Sequence, residues 1–528
     1  MATYSFAHHG PEAELDRVSR QDSIRAGLQP RRYSLHQVFE VFRSARSLSQ
    51  ASCAQSEKQR SEFHRIGGAE APPLSCRDGT YWLSRREAAG PATHHTDTRW
   101  WSTARIVLIL TLALGTLAFG AVQAWAWGAL IVLSATALVL WAMGSARQDT
   151  ISIAWTPLYL PAGAFLLLAL AQYFSHATAD AISTRESLIK LAADLIIFVL
   201  ATQLWSAGSR PLRRFALTIT ILTCALALFA MLQFFSEPAT IYGFVKPRWG
   251  GWIFGPYVNH NHYAGLMEML IPIAICWLIA LWRQPRYRRR VAAAAFPVLI
   301  ALASVPLSGS RGGLVSLVVE VVLLAVILWR HLPGARHRRA AVVGALSIAA
   351  ATAMFLWLDP GQLSQRLRTV TDVHRAPEAT LGERQLLTRD ALHIFAEHPL
   401  LGTGLGSFAT VYPRYRSFPS DLEWDHAHDD YAEAFAETGV VGGALILAAL
   451  GLFVTGAFSH LRQRLDSTSG WIRLGAAIGC CGLLIHSLAD FNLHIPANAA
   501  WFSLCAAIAV GSCKTEPERA GQPRGVAS

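Results

Sequence analysis

The chain of 528 residues is short of charge: Asp, Glu, Lys and Arg together make up only 15% of it. A soluble domain carries roughly 25%, so a surface facing only water is excluded. A composition of 52% hydrophobic residues, with 17 Trp and 24 Phe, excludes a disordered chain. The same composition excludes a secreted disulfide scaffold, and the eight cysteines include no Cys-x-x-Cys pair, which argues against a structural zinc site. Five of them sit in apolar runs, where Cys is a small buried hydrophobe. No internal repeat is present. What remains is a polytopic membrane protein with a formal net charge of +11.

Residues 1–99 differ in kind from the rest. They are rich in Arg, Ser, Ala and His, with Arg31-Arg32 and His94-His95 as examples, and contain no run able to cross a bilayer. No apolar stretch with a small-residue cleavage site follows the start, so the segment does not read as a signal peptide. The expectation is a cytoplasmic, disordered region with one short helix near Ser34–Phe42, or else a start assigned too far upstream.

From Arg105 onward, apolar runs long enough to cross a hydrocarbon core of about 30 Å follow one another. The sequence predicts an all-α fold with twelve spans: 105–121, 124–143, 154–174, 187–205, 214–235, 263–282, 291–307, 312–329, 340–358, 438–458, 471–489 and 495–511. The loops fix the orientation. One alternating set holds fifteen arginines, among them Arg213, Arg283, Arg288, Arg338 and Arg464; the other holds only Arg185, Lys246, Arg248 and Arg311. The positive-inside rule then places both termini and a 512–528 tail in the cytoplasm. The basic residues lie in separate loops rather than one patch with interleaved aromatics, which argues against nucleic acid as a partner. Between the ninth and tenth spans lies a segment of 359–437, external by this topology. It carries helical patterns at 380–397 and 427–437 and a Gly402-Thr403-Gly404-Leu405-Gly406 turn. An ordered external segment of this length points to function.

Four clusters fall on the external side. The loop from Lys246 to His262 holds Arg248, Trp249, Trp252, Tyr257, Asn259 and Asn261 among glycines. Arg248 is a fork donor suited to phosphate, although interfacial Trp and Tyr are also ordinary membrane anchors. The turn Ser308-Gly309-Ser310-Arg311-Gly312-Gly313 puts an arginine at the membrane edge against the charge bias; snorkelling to lipid phosphate is the competing reading. Leu381-Gly382-Glu383-Arg384 opens a helix, and Arg384, Arg389, Arg366 and Arg368 form an external basic group; a solvated helix face would explain most of them. The fourth cluster is Asp425-His426-Ala427-His428-Asp429-Asp430-Tyr431, followed by Glu433 and Glu437. A neutral histidine here can take a proton from a hydroxyl, with Asp429 or Asp430 fixing its tautomer. His-x-His beside carboxylates also suits a cation, and acidic residues suit a helix N-terminus. Spacing alone leaves these three readings open.

Taken in order, the four clusters resemble the O-antigen ligase and polymerase superfamily. His428, Asp429, nine further residues, then Gly439 and Gly442 match the ligase spacing, with Asp429 where Asn, Ser or Gln is usual. The run from His393 to Gly406, the Ser310-Arg311-Gly312-Gly313 turn, the Asn259-His260-Asn261 turn and the closing segment His486–Pro496 add to the resemblance, which covers 105–511. It implies a ligase-like transmembrane domain over 100–511 in a GT-C-like fold, within a bacterial inner membrane. It implies a multispan glycosyltransferase of lipopolysaccharide or exopolysaccharide assembly. Such an enzyme moves a glycan from an undecaprenyl diphosphate carrier to an acceptor hydroxyl at the periplasmic face, with inversion and with no metal or other cofactor. Arg248, Arg311 and Arg384 are then expected at the diphosphate, and His428 at the acceptor. Asp429, Asn259, Asn261, Trp252 and Tyr257 are expected in support. Three acceptors compete: a lipid A core sugar, another glycan repeat, and a protein hydroxyl. A polysaccharide transporter or flippase is the reading from another class. It would use mid-span ionisable residues, which are few here: Asp194, Glu268 and Glu320.

Overall fold

The computed structural model describes residues 99–511, with breaks at 149–152, 207, 237–239, 248–251, 332–380 (Gly344 apart), 421–422 and 460. All of the described residues belong to one compact unit, Leu74–Ser528. The N-terminal region before Arg99, the expected ninth span (Gly344 apart), the first part of the external segment with Arg366 and Arg368, the Arg248-Trp249 pair and the 512–528 tail lie outside the described residues.

The protein is an all-α polytopic membrane protein. In chain order the long helices are α1 Arg99–Leu117, α2 Ala124–Ala146, α3 Tyr159–Phe174, α4 Ala181–Ser206, α5 Ser209–Ser236, α6 His260–Trp282, α7 Arg288–Ser308, α8 Arg311–His331, α9 Leu381–Glu397, α10 Asp430–Phe458, α11 Thr468–His486 and α12 Pro496–Val510. Among the described residues, extended pairing is limited to isolated bridges at Ile241–Val245 and Phe254–Tyr257. Among the described residues, eight helices are long and apolar enough to cross a membrane, and shorter apolar helices lie at Tyr159–Phe174, Ala294–Ser308 and Pro496–Val510. Each of the expected spans except 340–358 therefore coincides with an apolar helix. The remaining long helix, α9, is amphipathic. Its Leu387, Ala391 and Ile394 bury against Phe408, Tyr412, Ala432 and Ala436, which fastens it to the start of α10.

Two helices form the centre. Of the apolar windows of α6 and α11, 78% is buried, against 28% for α2 and α8 and 22% for α10. In lipid, helices gain little from burying apolar surface, and close packing of small residues takes over. Gly475 and Gly479 of α11 meet the α6 backbone: a Cβ on either would stand 2.5 Å from the carbonyl oxygen of Pro272 or Met269. The acidic Glu268 on α6 and Glu320 on α8 are buried in this centre.

The two ends of the bundle differ chemically. At one end, Arg283 Nη1 donates to Leu465 O at 2.8 Å and Arg464 Nη1 to Ala509 O at 2.7 Å. Arg473 donates to Ile508 O at 2.7 Å and Trp205 O at 2.9 Å. These arginines close helix-end carbonyls, where a cation also complements the helix dipole. The other end gathers the start of α6, the α7–α8 turn, the start of α10 and the segment after α11.

Candidate active site

The site grows from the turn after α11. Asp490 is fully buried, and three basic side chains converge on its carboxylate. Arg384 Nη1 lies 3.4 Å from Oδ2, His262 Nε2 3.6 Å from Oδ1, and His428 Nδ1 4.0 Å from Oδ1. Arg384 also donates to Ala489 O at 2.6 Å, which fixes its position on this turn. Burial by itself would raise the Asp490 pKa. The surrounding His262 imidazole, Arg384 guanidinium and His428 imidazole outweigh that and hold it far below the usual carboxylate range. The next residue, Phe491, is a shared wall: its ring lies 4.8 Å from that of His262, 4.6 Å from His426 and 4.7 Å from His428.

His428 is held in a left-handed backbone conformation with φ of 53°, uncommon for a residue with a side chain. Asp429 is the N-cap of α10, and its Oδ1 accepts from Tyr431 N and Ala432 N, both at 3.0 Å. Its carboxylate is thereby engaged with the helix. Asp430 turns to His494 instead, Oδ1 to Nδ1 at 2.7 Å. Of the three acids, then, Asp490 faces His428. Burial, first, pushes the His428 imidazole down to about 4, with the negative Asp490 opposing, so the ring is neutral near pH 7. Its Nδ1 is buried without a hydrogen-bond partner.

The α7–α8 turn completes one side. Gly309 ends α7 at φ of 79° and lies on the Trp252 ring, 2.7 Å from where its Cβ would stand. Trp252 stacks on His260 at 4.3 Å. Ser310 Oγ caps Gly313 N at 3.0 Å. Arg311 opens α8 and is exposed, while the neighbouring Gly312 lies against the His486 ring, within 2.5 Å of a Cβ position. His486 in turn pairs with the buried Glu268, Nδ1 to Oε1 at 3.0 Å. Arg311 therefore stands at the rim of the histidine cluster. Asn259 caps α6 through Asn261 N at 2.8 Å, and its Nδ2 lies 3.4 Å from His262 Nε2. Tyr257 is buried, with its hydroxyl donating to Asn498 at 2.8 Å. Asn261 is buried too.

The Gly439–Gly442 pair has a backbone role. Gly439 interrupts α10 at φ 62° and ψ −163°, and a Cβ there would collide with the Leu400 carbonyl. Gly402, on the opposing loop, meets the Glu437 carbonyl in the same way. The Glu437 carboxylate accepts from Gly406 N at 2.7 Å and Phe408 N at 2.9 Å. The break in α10 is thus the seat of the Gly402–Gly406 turn.

The structure brings Arg384 and His428 together, sets Arg311 at the rim, and assigns Asp429, Asn259, Trp252 and Tyr257 to caps and walls; Arg248 lies outside the described residues. Sequence patterning alone gives no part in transfer to Asp490, His262, His486, Glu268 or Phe491, and Glu268 figures there only among the mid-span acids of the transporter reading. The closing His486–Pro496 segment, which contains three of them, was the signal available.

A family model described as O-antigen ligase (Wzy_C) matches residues 296–447. That stretch holds Arg311, Arg384, His428 and the Gly439–Gly442 pair, but neither His262 nor Asp490. No curated protein matches the chain.

Proposed function

We propose, from the premise that the chain belongs to the O-antigen ligase superfamily through residues 296–447, that it transfers a glycan from undecaprenyl diphosphate to an acceptor hydroxyl at the external face of the bacterial inner membrane. The match supports a membrane enzyme of the ligase and polymerase type in glycan assembly. The proposed reaction rests on one observation: a neutral, buried His428 turned towards the charged Asp490, on the turn that Arg384 also holds.

In this reading Nδ1 of His428 carries the proton and faces Asp490, leaving Nε2 free to accept. An acceptor hydroxyl passes its proton to Nε2 as its oxygen attacks the anomeric carbon. The bond from that carbon to the carrier's diphosphate oxygen breaks, and the electron pair leaves with undecaprenyl diphosphate. Asp490 stabilises the imidazolium that forms, as a buried carboxylate does for a catalytic histidine. Arg311 and Arg384, with Arg248, meet the charge that grows on the leaving diphosphate. Attack opposite the leaving group inverts the anomeric centre.

The test is transfer by the purified chain in liposomes containing lipid-linked donor. His428→Ala and Arg311→Ala should each lower transfer by about a hundredfold or more at unchanged protein level. Wild-type rates with either change would overturn the mechanism. Deletion in the native cell, followed by surface-glycan gels, separates the acceptors. Loss of all capped lipid A core marks a ligase, and collapse to single repeats marks a polymerase. An unchanged glycan with loss of glycosylated protein marks a protein transferase.

A further inference from the structure

Beside the Asp490 cluster, a second group of side chains takes no part in the transfer described above. Glu433 lies one turn into α10 and is 2% exposed. Its Oε2 is fixed by the Ala427 amide at 2.7 Å. Its Oε1 faces two imidazole nitrogens, His426 Nδ1 at 2.8 Å and His494 Nε2 at 3.2 Å. The three donor atoms lie within 4.8 Å of one another. Donors about 2.0–2.1 Å from a tetrahedral ion stand about 3.4 Å apart, so small side-chain shifts would seat one ion among them.

The outer surroundings agree. The other ring nitrogen of His494 donates to Asp430 at 2.7 Å. This is the carboxylate–histidine arrangement that fixes the tautomer and orientation of a metal-bound imidazole. His426 is steadied by its stack on Phe491. Both histidines remain 27% exposed, so a fourth position opens to solvent.

We propose that His426, Glu433 and His494 form a binding site for a divalent transition-metal cation, with Asp430 as its outer carboxylate and water as the fourth ligand. Two imidazoles and one carboxylate favour Zn²⁺ over Mg²⁺ or Ca²⁺, which take oxygen ligands. The site joins three parts of the chain: the segment before α10, α10 itself, and the turn between α11 and α12. The ion clamps the backbone on both sides of His428 and just after Asp490 without touching the reacting atoms. The superfamily resemblance implies no metal for the transfer itself, and this clamp requires none there.

The experiment uses the full chain, purified in detergent with no polyhistidine tag, and measures bound metal by mass spectrometry. The expected result is stoichiometric zinc in the wild type and its loss in His426→Gln and His494→Gln. A second measurement does not depend on how the variants fold. The chelator-stripped wild type should regain Tm on addition of Zn²⁺, and Mg²⁺ should give no such rise. Metal-free protein with no Tm response to Zn²⁺ would overturn the site. Undiminished zinc in both variants would also overturn it, and would place the metal on histidines elsewhere in the chain, such as His94-His95.

Discussion

His428 is bracketed by acids, and the neighbour in sequence is not its partner in space. Asp429 is a helix cap, and Asp490, from the far side of α11, is the carboxylate that faces the ring. Motif spacing could find His428 because a histidine at fixed distance from a Gly-x-x-Gly pair is a local pattern. It could not find Asp490, since only the packing of α11 against α6 brings that turn to the start of α10. The consequence is measurable. A general base contributes typically about 10²–10⁴ in rate, so His428→Ala should lower transfer in liposomes by about that factor. Asp490→Asn keeps size but removes the charge that holds the Nδ1 tautomer, and should lower kcat while leaving donor KM nearly unchanged. Asp429→Asn retains a good helix cap and should stay close to wild type. A large loss in Asp429→Asn with little in Asp490→Asn would reverse the assignment of the two acids.

At the scale of elements, the apolar runs located the spans well, because a bilayer demands length and apolarity that sequence displays directly. Boundaries were less legible. The sequence suggests a helix at 427–437 and a separate span from 438, whereas α10 runs from Asp430 to Phe458 with a break at Gly439. The break arises from tertiary contact: the loop after α9 seats its Leu400 carbonyl against Gly439. No local signal distinguishes such a glycine from one that merely packs. The pairing predicts a sharp contrast within one helix. Gly439→Ala would place a side chain in a backbone region open almost only to glycine, which costs about 1–3 kcal/mol before the collision with Leu400 is counted. Its Tm in detergent should fall clearly. Gly451→Ala, on the same helix with open space at the Cβ position, should leave Tm unchanged or slightly higher, since Ala favours helix by about 1 kcal/mol over Gly. Equal effects of the two changes would show that Gly439 is an ordinary helix residue.

At the scale of the molecule, the net charge of +11 carries a topology that helix geometry can now be set beside. The turns predicted to lie inside meet one another: Arg283 of the α6–α7 turn bonds Leu465 of the α10–α11 connection. Those predicted outside do likewise, as Ala179 between α3 and α4 donates to Thr403 O of the external segment at 2.8 Å. Alternate loops thus share an end, as a chain threaded back and forth requires, and the arginine-rich end is the one the positive-inside rule holds in the cytoplasm. Helix packing alone leaves the absolute direction open, because a bundle can be inserted either way up; charge is what breaks that symmetry. Single cysteines can read it, in a background where Cys53, Cys76 and Cys513 are Ser. Ala177→Cys, exposed in the α3–α4 turn, should react with a membrane-impermeant maleimide in intact spheroplasts. Arg286→Cys, exposed in the α6–α7 turn, should react only after permeabilisation. The opposite pattern would put His428 and Asp490 on the cytoplasmic side. Transfer from a donor displayed at the external face would then be impossible at this site.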